Sequence, residues 1–503
     1  MKPLISKQIY IALLGVIFLV IFNFTLTNIA APYIAGSLGA SNDIATYTIT
    51  FFAIGNAIGM PLSRLLSCRL GSVHLLCLCL VLFAALSYVC TLSESYLAIV
   101  IARFAQGFVA GPLFPLVSRI ISSLTPETQR PKTTSYIIFI SAITPVLGAC
   151  WGGWISYDYH WTWIFHLNLP ILLLLAVIFY FTLKDKAIEV PDVAFNIIGY
   201  LFYAFGILCI GTAITLGQEM DWNRSSLILW LFAAGIFSFF FYLIWDLKHP
   251  HPIVHLALFK RFSFSVAMIS LALLFSAYFG MVLLLGLWLT LDANYTPIWI
   301  GLMIGTMAIA GVLLHFALPK INQTDPRISL LLALIFFAIS SFYSTTFAVE
   351  IDLFRISISR VLAGFGLALF LAPLFRMSFE KLNPEQSSDA IVIFQVVRSI
   401  ASGLGASIYT TVWWRRAVFY HERLGEQLTD FSSLTKDYFT KARLIHIQGL
   451  KADAKLADLL DKQSKALALD DCFYLMAWIF VALAFLILLT FLRKKPLIEK
   501  SPA

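Results

Sequence analysis

The sequence predicts an all-α polytopic membrane protein with about fourteen membrane-spanning helices. Hydrophobic residues make up 60% of the 503 residues and charged residues only 12%, and the mean hydropathy is +0.87. Apolar segments of roughly 20 residues, the length that crosses about 30 Å of hydrocarbon as a helix, recur along the chain. Some of them, such as 171–181, are apolar on every face, which excludes the alternating pattern of a membrane β-barrel.

Fourteen segments have this composition, and most of the connections between them are short. The first six segments are 9–30, 44–66, 72–91, 96–123, 133–155 and 163–183. Two more follow at 194–216 and 226–247. The last six are 263–291, 296–318, 328–347, 353–379, 387–413 and 472–492. The first segment is too long for the core of a cleaved signal peptide, so we expect it to remain as the first span.

The distribution of lysine and arginine predicts the orientation of the chain. If the N-terminus is cytoplasmic, the cytoplasmic termini, loops and helix ends hold 20 of the 35 basic residues. The short loops on the opposite side hold only Arg224 and Arg355. Positive charge is retained on the cytoplasmic face, so both termini are expected in the cytoplasm of a bacterial cell, with the chain in the inner membrane.

Several function classes are excluded by what the sequence lacks. The net charge is +8, but the basic residues are spread over many short loops, which fits lipid headgroups and not nucleic acid. The seven cysteines show neither a disulfide framework nor metal-ligand spacing. There is no nucleotide-binding P-loop and no nucleophile with a base and an orienting group, so we expect no enzyme, no cofactor and no metal.

An internal repeat links the fourth and twelfth segments. RFAQGFVAGPLFPL begins at Arg103 and RVLAGFGLALFLAPL at Arg360, and each arginine lies one helical turn before a glycine, Gly107 or Gly364. Transporters are commonly built from related halves with the substrate site between them. Chance similarity between two helices rich in small residues is the alternative explanation.

Polar and aromatic residues inside the apolar segments are candidates for a substrate cavity, because a charge or amide in hydrocarbon needs a partner or a wet cavity. Anchoring at the membrane interface and hydrogen bonding between helices are the alternatives for the polar ones. The candidates are Asn23, Thr25, Asn28, Arg103, Arg360, Gln395 and Arg398, with Phe24, Tyr136, Tyr278 and Phe394 as aromatic surfaces for a flat or cationic substrate.

The fifth segment carries a face of small residues and a proline that suits close packing or a rocking motion. Its members are Pro145, Gly148, Gly152 and Gly153. Acidic residues are scarce within the segments. The best candidates for proton coupling are Asp292, Asp389 and His315, and a location at the membrane interface without a coupling role is the alternative for each.

One connection is long, at 414–471, and its part from 434 to 470 has leucine and alanine at mixed three- and four-residue spacing. This pattern predicts one or two short amphipathic helices on the outer face. They would form either a solvated cap or a docking site for a periplasmic partner.

The chain resembles the fourteen-span drug and proton antiporters of the major facilitator superfamily, especially the EmrB-type and QacA-like multidrug exporters, over nearly its whole length. The fourth-segment motif beginning at Arg103 carries the resemblance most clearly. PVLGACWGGWI with HWTWIFHLNLP at 145–170, QEMDW at 218–222 and HPIVHLALFK at 251–260 add to it. Within the fourth-segment motif, the resemblance adds Gln106 to the cavity residues and Gly111 to the packing residues.

The resemblance implies the major facilitator fold: two six-helix bundles plus two extra central helices, with alternating access to one cavity. The bundles would be 1–190 and 251–503, the inserted pair 191–250, and the periplasmic loop 414–471. Arg69 and Gly71 match the family's gating motif between the second and third spans, whereas Arg64 and Cys68 stand where a glycine and an aspartate are usual. Asn23 stands where the family's first-helix motif begins with an aspartate, and an amide does not exchange a proton at physiological pH.

These features predict a secondary active exporter of small amphipathic compounds, such as drugs, fatty acids or a metabolite like a siderophore, with or without proton coupling. The long loop would meet a periplasmic adaptor, a membrane fusion protein, and through it an outer-membrane channel. A facilitator or importer of a small metabolite or an iron chelate is the first alternative, suggested by the missing acid at Asn23. A membrane sensor or scaffold that transports nothing is the second.

Overall fold

The computed structural model describes residues 7–184, 195–314, 321, 324–379, 382–429 and 431–492, and its regular elements there are all helices. In the N-terminal half they are α1 (Lys7–Ser37), α2 (Tyr47–Gly59), α3 (Leu62–Leu70), α4 (Ser72–Thr91), α5 (Tyr96–Ala110), α6 (Leu113–Leu124), α7 (Arg130–Asp158), α8 (Trp163–His166) and α9 (Asn168–Leu183). The central pair is α10 (Ile197–Leu216) and α11 (Ser226–Lys248). The C-terminal half has α12 (Phe262–Leu291), α13 (Pro297–Gly305), α14 (Met307–Leu314), α15 (Pro326–Ser344), α16 (Leu353–Phe379), α17 (Pro384–Gly425), α18 (Ser433–Leu444) and α19 (Leu450–Leu492).

The predicted membrane spans all have counterparts among these helices. In the described part of the chain, 13 helical segments are long and apolar enough to cross a membrane. The count reaches 14 if the segment Asn42–Gly59 and α3, which meet at a bend of 55°, form one span. The expectation of an all-α membrane protein is therefore confirmed.

The two halves repeat one pattern of helix pairing. In the N-terminal half α1 packs against α7, α2 against α5, and α4 against α9. In the C-terminal half α12 packs against α17, α14 against α16, and α15 against α19. Several spans consist of two helices: α2 with α3, α5 with α6, α8 with α9, and α13 with α14. When spans are counted in order within each half, both halves pair the first span with the fifth, the second with the fourth, and the third with the sixth. Two six-helix bundles of one design result.

The inserted helices pack beside the N-terminal bundle. α10 packs against α11, α2 and α17. Tyr203 and Tyr200 on α10 donate hydrogen bonds to the main-chain oxygens of Ala57 and Ile58, at 2.9 and 3.2 Å. Since α2 and α17 belong to different bundles, α10 covers one side of the junction between them.

We call the end of the molecule at which α1 begins the N-terminal face and the opposite end the long-loop face. The bundles touch directly in the half near the long-loop face. The thiol of Cys150 on α7 donates to the oxygen of Gly301 on α13 at 2.9 Å. On the other side of the molecule, the hydroxyls of Thr50 on α2 and Ser407 on α17 lie 2.8 Å apart.

The helices continue far beyond the spans on either side of the predicted loop. α17 extends to Gly425 and α19 begins at Leu450, so that only α18 and its flanking turns remain between them. The indole of Trp413 donates to the oxygen of Lys465 at 2.9 Å. The amphipathic helices predicted at 434–470 correspond to α18 and the first part of α19, but the second is not a separate short helix because it continues into the last span. A hydropathy pattern marks only the lipid-embedded part of a helix, so this continuity was not predicted.

Candidate functional site

A cavity lies between the two bundles, with about 470 Å³ of empty space including its open mouth. Most of its wall is apolar and comes from α1, α2, α7 and α12, and its polar groups come chiefly from α17. The lining residues are Val20, Ile21, Phe24, Phe52, Asn56, Met60, Ser141, Pro145, Phe275, Phe279, Gln395, Arg398, Ser399 and Ser402. None of these side chains is acidic. Mostly apolar walls with a few polar groups are typical of small-molecule sites.

Arg398 is the charged residue of this cavity. Its guanidinium lies 5.5 Å from the ring centre of Phe114 and 5.8 Å from that of Phe275. No hydrogen bond or ion pair joins it to any residue in the described ranges. One helical turn earlier, the buried amide of Gln395 has neither its oxygen nor its nitrogen bonded. The cavity therefore holds a cation and an amide with free bonding capacity.

Arg103 lies elsewhere, fully buried inside the N-terminal bundle. Its guanidinium donates to Asn23 Oδ1 at 2.8 Å, Gln106 Oε1 at 2.6 Å, Thr27 Oγ1 at 3.2 Å and the oxygen of Thr48 at 3.3 Å. These partners are all neutral. The cluster joins α1, α2 and α5, and it lies outside the lining of the cavity. Asn23 thus accepts a hydrogen bond in the place where the family motif has an aspartate.

Arg360 is the counterpart of Arg103 in the C-terminal bundle and is equally buried. Its Nη2 donates to the hydroxyls of Ser344 at 3.0 Å and Ser359 at 2.9 Å. Its Nε and Nη1 have no hydrogen-bond partner. The ring centre of Phe473 lies 5.7 Å from the guanidinium. Both repeat arginines therefore sit within a bundle and not between the bundles.

The remaining cavity candidates are dispersed. Thr25 bonds back to its own helix and faces Gly148 on α7, and Asn28 is buried with its Oδ1 unbonded. Tyr136 is exposed, whereas Tyr278 and Phe394 are buried in the core. None of the five lines the cavity. Of the sequence candidates, the structure brings only Gln395, Arg398 and Phe24 together there, with Pro145 in the opposite wall.

The glycines of the repeat are points of close helix approach. A Cβ on Gly107 would lie 2.1 Å from the oxygen of Phe52 on α2, and one on Gly364 would lie 2.2 Å from the oxygen of Met307 on α14. Gly111 likewise faces α2, and Gly152 faces α1. Gly153 faces Pro297 of the other bundle. Small residues let membrane helices approach to this distance.

The turn between the second and third spans depends on Gly71, whose φ of +81° lies in the region that favours glycine. It caps α3 just after Arg69. On the same N-terminal face, Arg64 reaches across to Asp389 on α17 at 3.6 Å. His255 also contacts this carboxylate through its ring and, at 3.0 Å, its main-chain nitrogen. Arg64, which stands where the family usually has a glycine, thus links the two bundles.

The three proton-coupling candidates lie apart from each other. Asp292 is one residue beyond the end of α12 on the long-loop face and pairs with Lys465 at 3.2 Å. Burial raises the pKa of its carboxyl to about 6, although the lysine opposes the shift. Asp389 belongs to the link with Arg64. His315 lies outside the described residues.

Sequence reasoning missed most of the cavity wall. Phe52, Phe275, Phe279 and Met60 looked like any other apolar residue in a span, because a hydropathy pattern does not tell a lipid-facing side from a cavity-facing one. Ser141 was also not predicted, and its buried hydroxyl has no hydrogen-bond partner. A serine and a proline four residues apart on α7 were the only local signal. In the described part of the chain, no three His, Cys, Asp or Glu residues cluster as metal ligands would.

Comparison with known proteins gives relatives over nearly the whole length. The chain is 28% identical to the multidrug export protein EmrB of Haemophilus influenzae over 472 residues, which is 93% of this chain and 92% of that one. It is 31% identical to the fatty acid resistance protein FarB of Neisseria gonorrhoeae over 418 residues, 83% of this chain and 82% of FarB. EmrB of Escherichia coli is 29% identical over 487 residues, 96% and 95% of the two chains.

Solved structures share the fold at low identity. A bacterial homologue of the human lysosomal transporter Spinster, in an inward-facing unoccupied conformation, superposes with a TM-score of 0.61 at 14% identity over all of both chains. An auto-inhibited peptide transporter of the POT family gives 0.63 at 13% identity, over 99% of each chain. The sequence profile of the Major Facilitator Superfamily matches residues 13–406. The chain therefore belongs to the Major Facilitator Superfamily and is an EmrB-like member of it.

Proposed function

We propose that this protein is a secondary active exporter that moves small amphipathic compounds out of a bacterial cell by alternating access. The observation that carries the proposal is the cavity between two six-helix bundles, with phenylalanine walls and a polar corner at Gln395 and Arg398. The names of the EmrB and FarB relatives, multidrug export and fatty acid resistance, support export of drugs or fatty acids.

In this proposal the N-terminal face is cytoplasmic and the long-loop face is periplasmic. The basic loops on the side of the N-terminus support this orientation. Alternating access then requires the contacts near the long-loop face, Cys150 with Gly301 and Thr50 with Ser407, to separate in one state. The Arg64–Asp389 link on the opposite face, which is also formed in this structure, must separate in the other state. Gly153 and Gly301 let α7 and α13 approach closely at one of these contacts.

The hairpin of α17 and α19 is the proposed contact with a periplasmic adaptor, and through it with an outer-membrane channel. The ion pair of Asp292 with Lys465 fixes the hairpin to the end of α12, and that of Arg416 with Asp471 joins its two helices to each other. Large apolar side chains are exposed at its tip: Phe431, Leu434, Leu444 and Leu450. An exposed apolar cluster in water marks an interaction site, which favours docking over a solvated cap.

Few side chains between or within the bundles could carry a coupled proton. The Arg103 cluster contains no acid, so a proton would have to bind elsewhere, and Asp389 at the link between the bundles is the best-placed carboxyl. Such coupling predicts that export stops when the proton gradient collapses and that Asp389→Asn gives the same loss.

Efflux from cells tests the proposal directly. Cells with and without the protein are loaded with a fluorescent amphipathic dye or a labelled fatty acid, and its loss is followed before and after addition of an uncoupler. We expect faster loss in cells that contain the protein. Faster uptake by right-side-out vesicles would instead identify an importer, and ligand binding without flux in proteoliposomes would identify a sensor.

A further inference from the structure

We infer that the cavity selects amphipathic compounds with an anionic head, and that Arg398 and Gln395 together bind a carboxylate. This inference rests on the proposed export function and specifies its substrate class. It starts from the electrostatics of the cavity: one guanidinium, no acidic side chain among the lining residues, and no hydrogen bond or ion pair to Arg398 in the described ranges.

A half-buried guanidinium without an ion pair needs compensation, because burial removes part of its favourable hydration. The rings of Phe114 and Phe275 supply part of it through their faces. They leave the N–H groups of the guanidinium free. A carboxylate accepts two parallel hydrogen bonds from a guanidinium, which makes it the ligand that fits this fork best.

The amide of Gln395 supports an anionic head as a second, independent observation. It is buried, it lines the same cavity, and both its polar atoms lack a partner. Gln395 and Arg398 are three residues apart in α17, so they share a face of the helix. The amide N–H₂ donates, as the guanidinium does, so a ligand oxygen between them would accept from both, while the amide oxygen still requires a donor such as water.

The rest of the wall determines the other end of the ligand. Val20, Ile21 and the rings of Phe24, Phe52 and Phe279 form an apolar surface that suits an alkyl chain or an aromatic body. A cationic amphipath would fill the same surface but would meet the like charge of Arg398 with no carboxylate in the lining to offset it. The cavity thus disfavours cationic compounds as well as favouring anionic ones.

The test compares ligands that differ only in head charge. The full-length protein in phosphatidylcholine nanodiscs binds radiolabelled dodecanoate, and unlabelled dodecanoate, methyl dodecanoate and dodecyltrimethylammonium compete with it. We expect dodecanoate to compete at least about tenfold better than the ester, a difference of 1.4 kcal/mol, and the cation to compete least. Equal competition by the three compounds overturns the inference without requiring any variant to fold.

Variants then locate the selectivity. Arg398→Gln should abolish the preference for dodecanoate over its ester, Arg398→Lys should keep part of it, and Gln395→Leu should reduce it about threefold. Arg355→Gln, which removes an exposed arginine at the start of α16, is the matched control and should bind as the unchanged protein does. If Arg398→Gln keeps the full preference for dodecanoate over its ester, the anion binds elsewhere and the assignment is refuted.

Two further arms separate this inference from neighbouring explanations. Adding phosphatidylglycerol to the nanodiscs should leave dodecanoate binding unchanged, and strong competition by that lipid would assign the site to a lipid headgroup and overturn the inference. If the protein exports cationic dyes but shows no preference for dodecanoate, the anion inference fails while the export function stands. If it moves no compound of any charge, the export function itself fails.

Discussion

Replacement of Gly107 by alanine probes the packing on which the N-terminal bundle depends. The new Cβ would lie 2.1 Å from the oxygen of Phe52, whereas ordinary contact begins near 3.4 Å. The obstacle is main chain, so no side chain can rotate away, and α2 and α5 must separate by about 1.3 Å. Gly55 and Gly59 make equally close contacts along the same pair of helices, and their packing loosens with it.

The expected cost follows from this separation. Overpacking a close interface destabilises by about 1–3 kcal/mol, and helix association in lipid depends on such packing because no hydrophobic force favours it. The unfolding entropy of roughly 2.1 cal/mol/K per residue converts this loss, for 503 residues, into a decrease in Tm of about 1–3 °C. The separation of α2 and α5 should also weaken the contact between the Arg103 guanidinium and the Phe52 ring, whose centre lies 4.3 Å away in the structure.

The assay is thermal unfolding of the purified protein in one detergent, followed by intrinsic fluorescence. Gly15→Ala is the control, because a Cβ there meets no atom within 4 Å and alanine favours helix over glycine by about 1 kcal/mol. The same helix preference applies at Gly107, so the overpacking cost should appear as a Tm of Gly107→Ala about 1–3 °C below that of Gly15→Ala. If Gly107→Ala melts at or above the temperature of Gly15→Ala, the packing argument is refuted.

Three further predictions concern charge. Arg103→Ala should lower stability by about 1–3 kcal/mol for each buried acceptor that it leaves unsatisfied, and abolish transport, because four buried acceptors lose their donor; full efflux and an unchanged Tm would refute this. Asn23→Asp places a carboxyl 2.8 Å from the Arg103 guanidinium and should introduce or strengthen proton dependence of transport; an unaltered pH profile would place coupling elsewhere. The pKa of Asp292 is about 6 in the folded chain, against a usual value of 3.8. The folded chain therefore binds this proton more tightly than the unfolded chain, which stabilises the fold at low pH. That stabilisation is lost as the pH rises through about 6. The unchanged protein should gain more Tm than Asp292→Asn between pH 7 and pH 5, and parallel curves would exclude this carboxyl as the cause.

The amino-acid sequence by itself determined the solvent of this protein, the number of its spans and the relation between its halves. Segments of apolar residues have one stable solution in lipid, a helix that pairs its own main chain, and the 13 spanning segments in the described part of the chain follow that rule. The repeat of Arg103 with Gly107 and Arg360 with Gly364 also held, because an arginine one turn before a glycine places the charge and the close contact on one face of each helix.

Only the tertiary structure decided which buried charge meets the cavity. Arg103, Arg360 and Arg398 look alike in sequence, each a cation in an apolar helix, yet neighbouring helices enclose the first two and leave the third open to the space between the bundles. The sequence likewise predicted helices at 434–470 but not the hairpin, because α17 and α19 extend beyond the predicted spans by packing against each other. Local sequence fixes which residues share a helix face; which neighbour covers that face depends on contacts between residues distant in the chain.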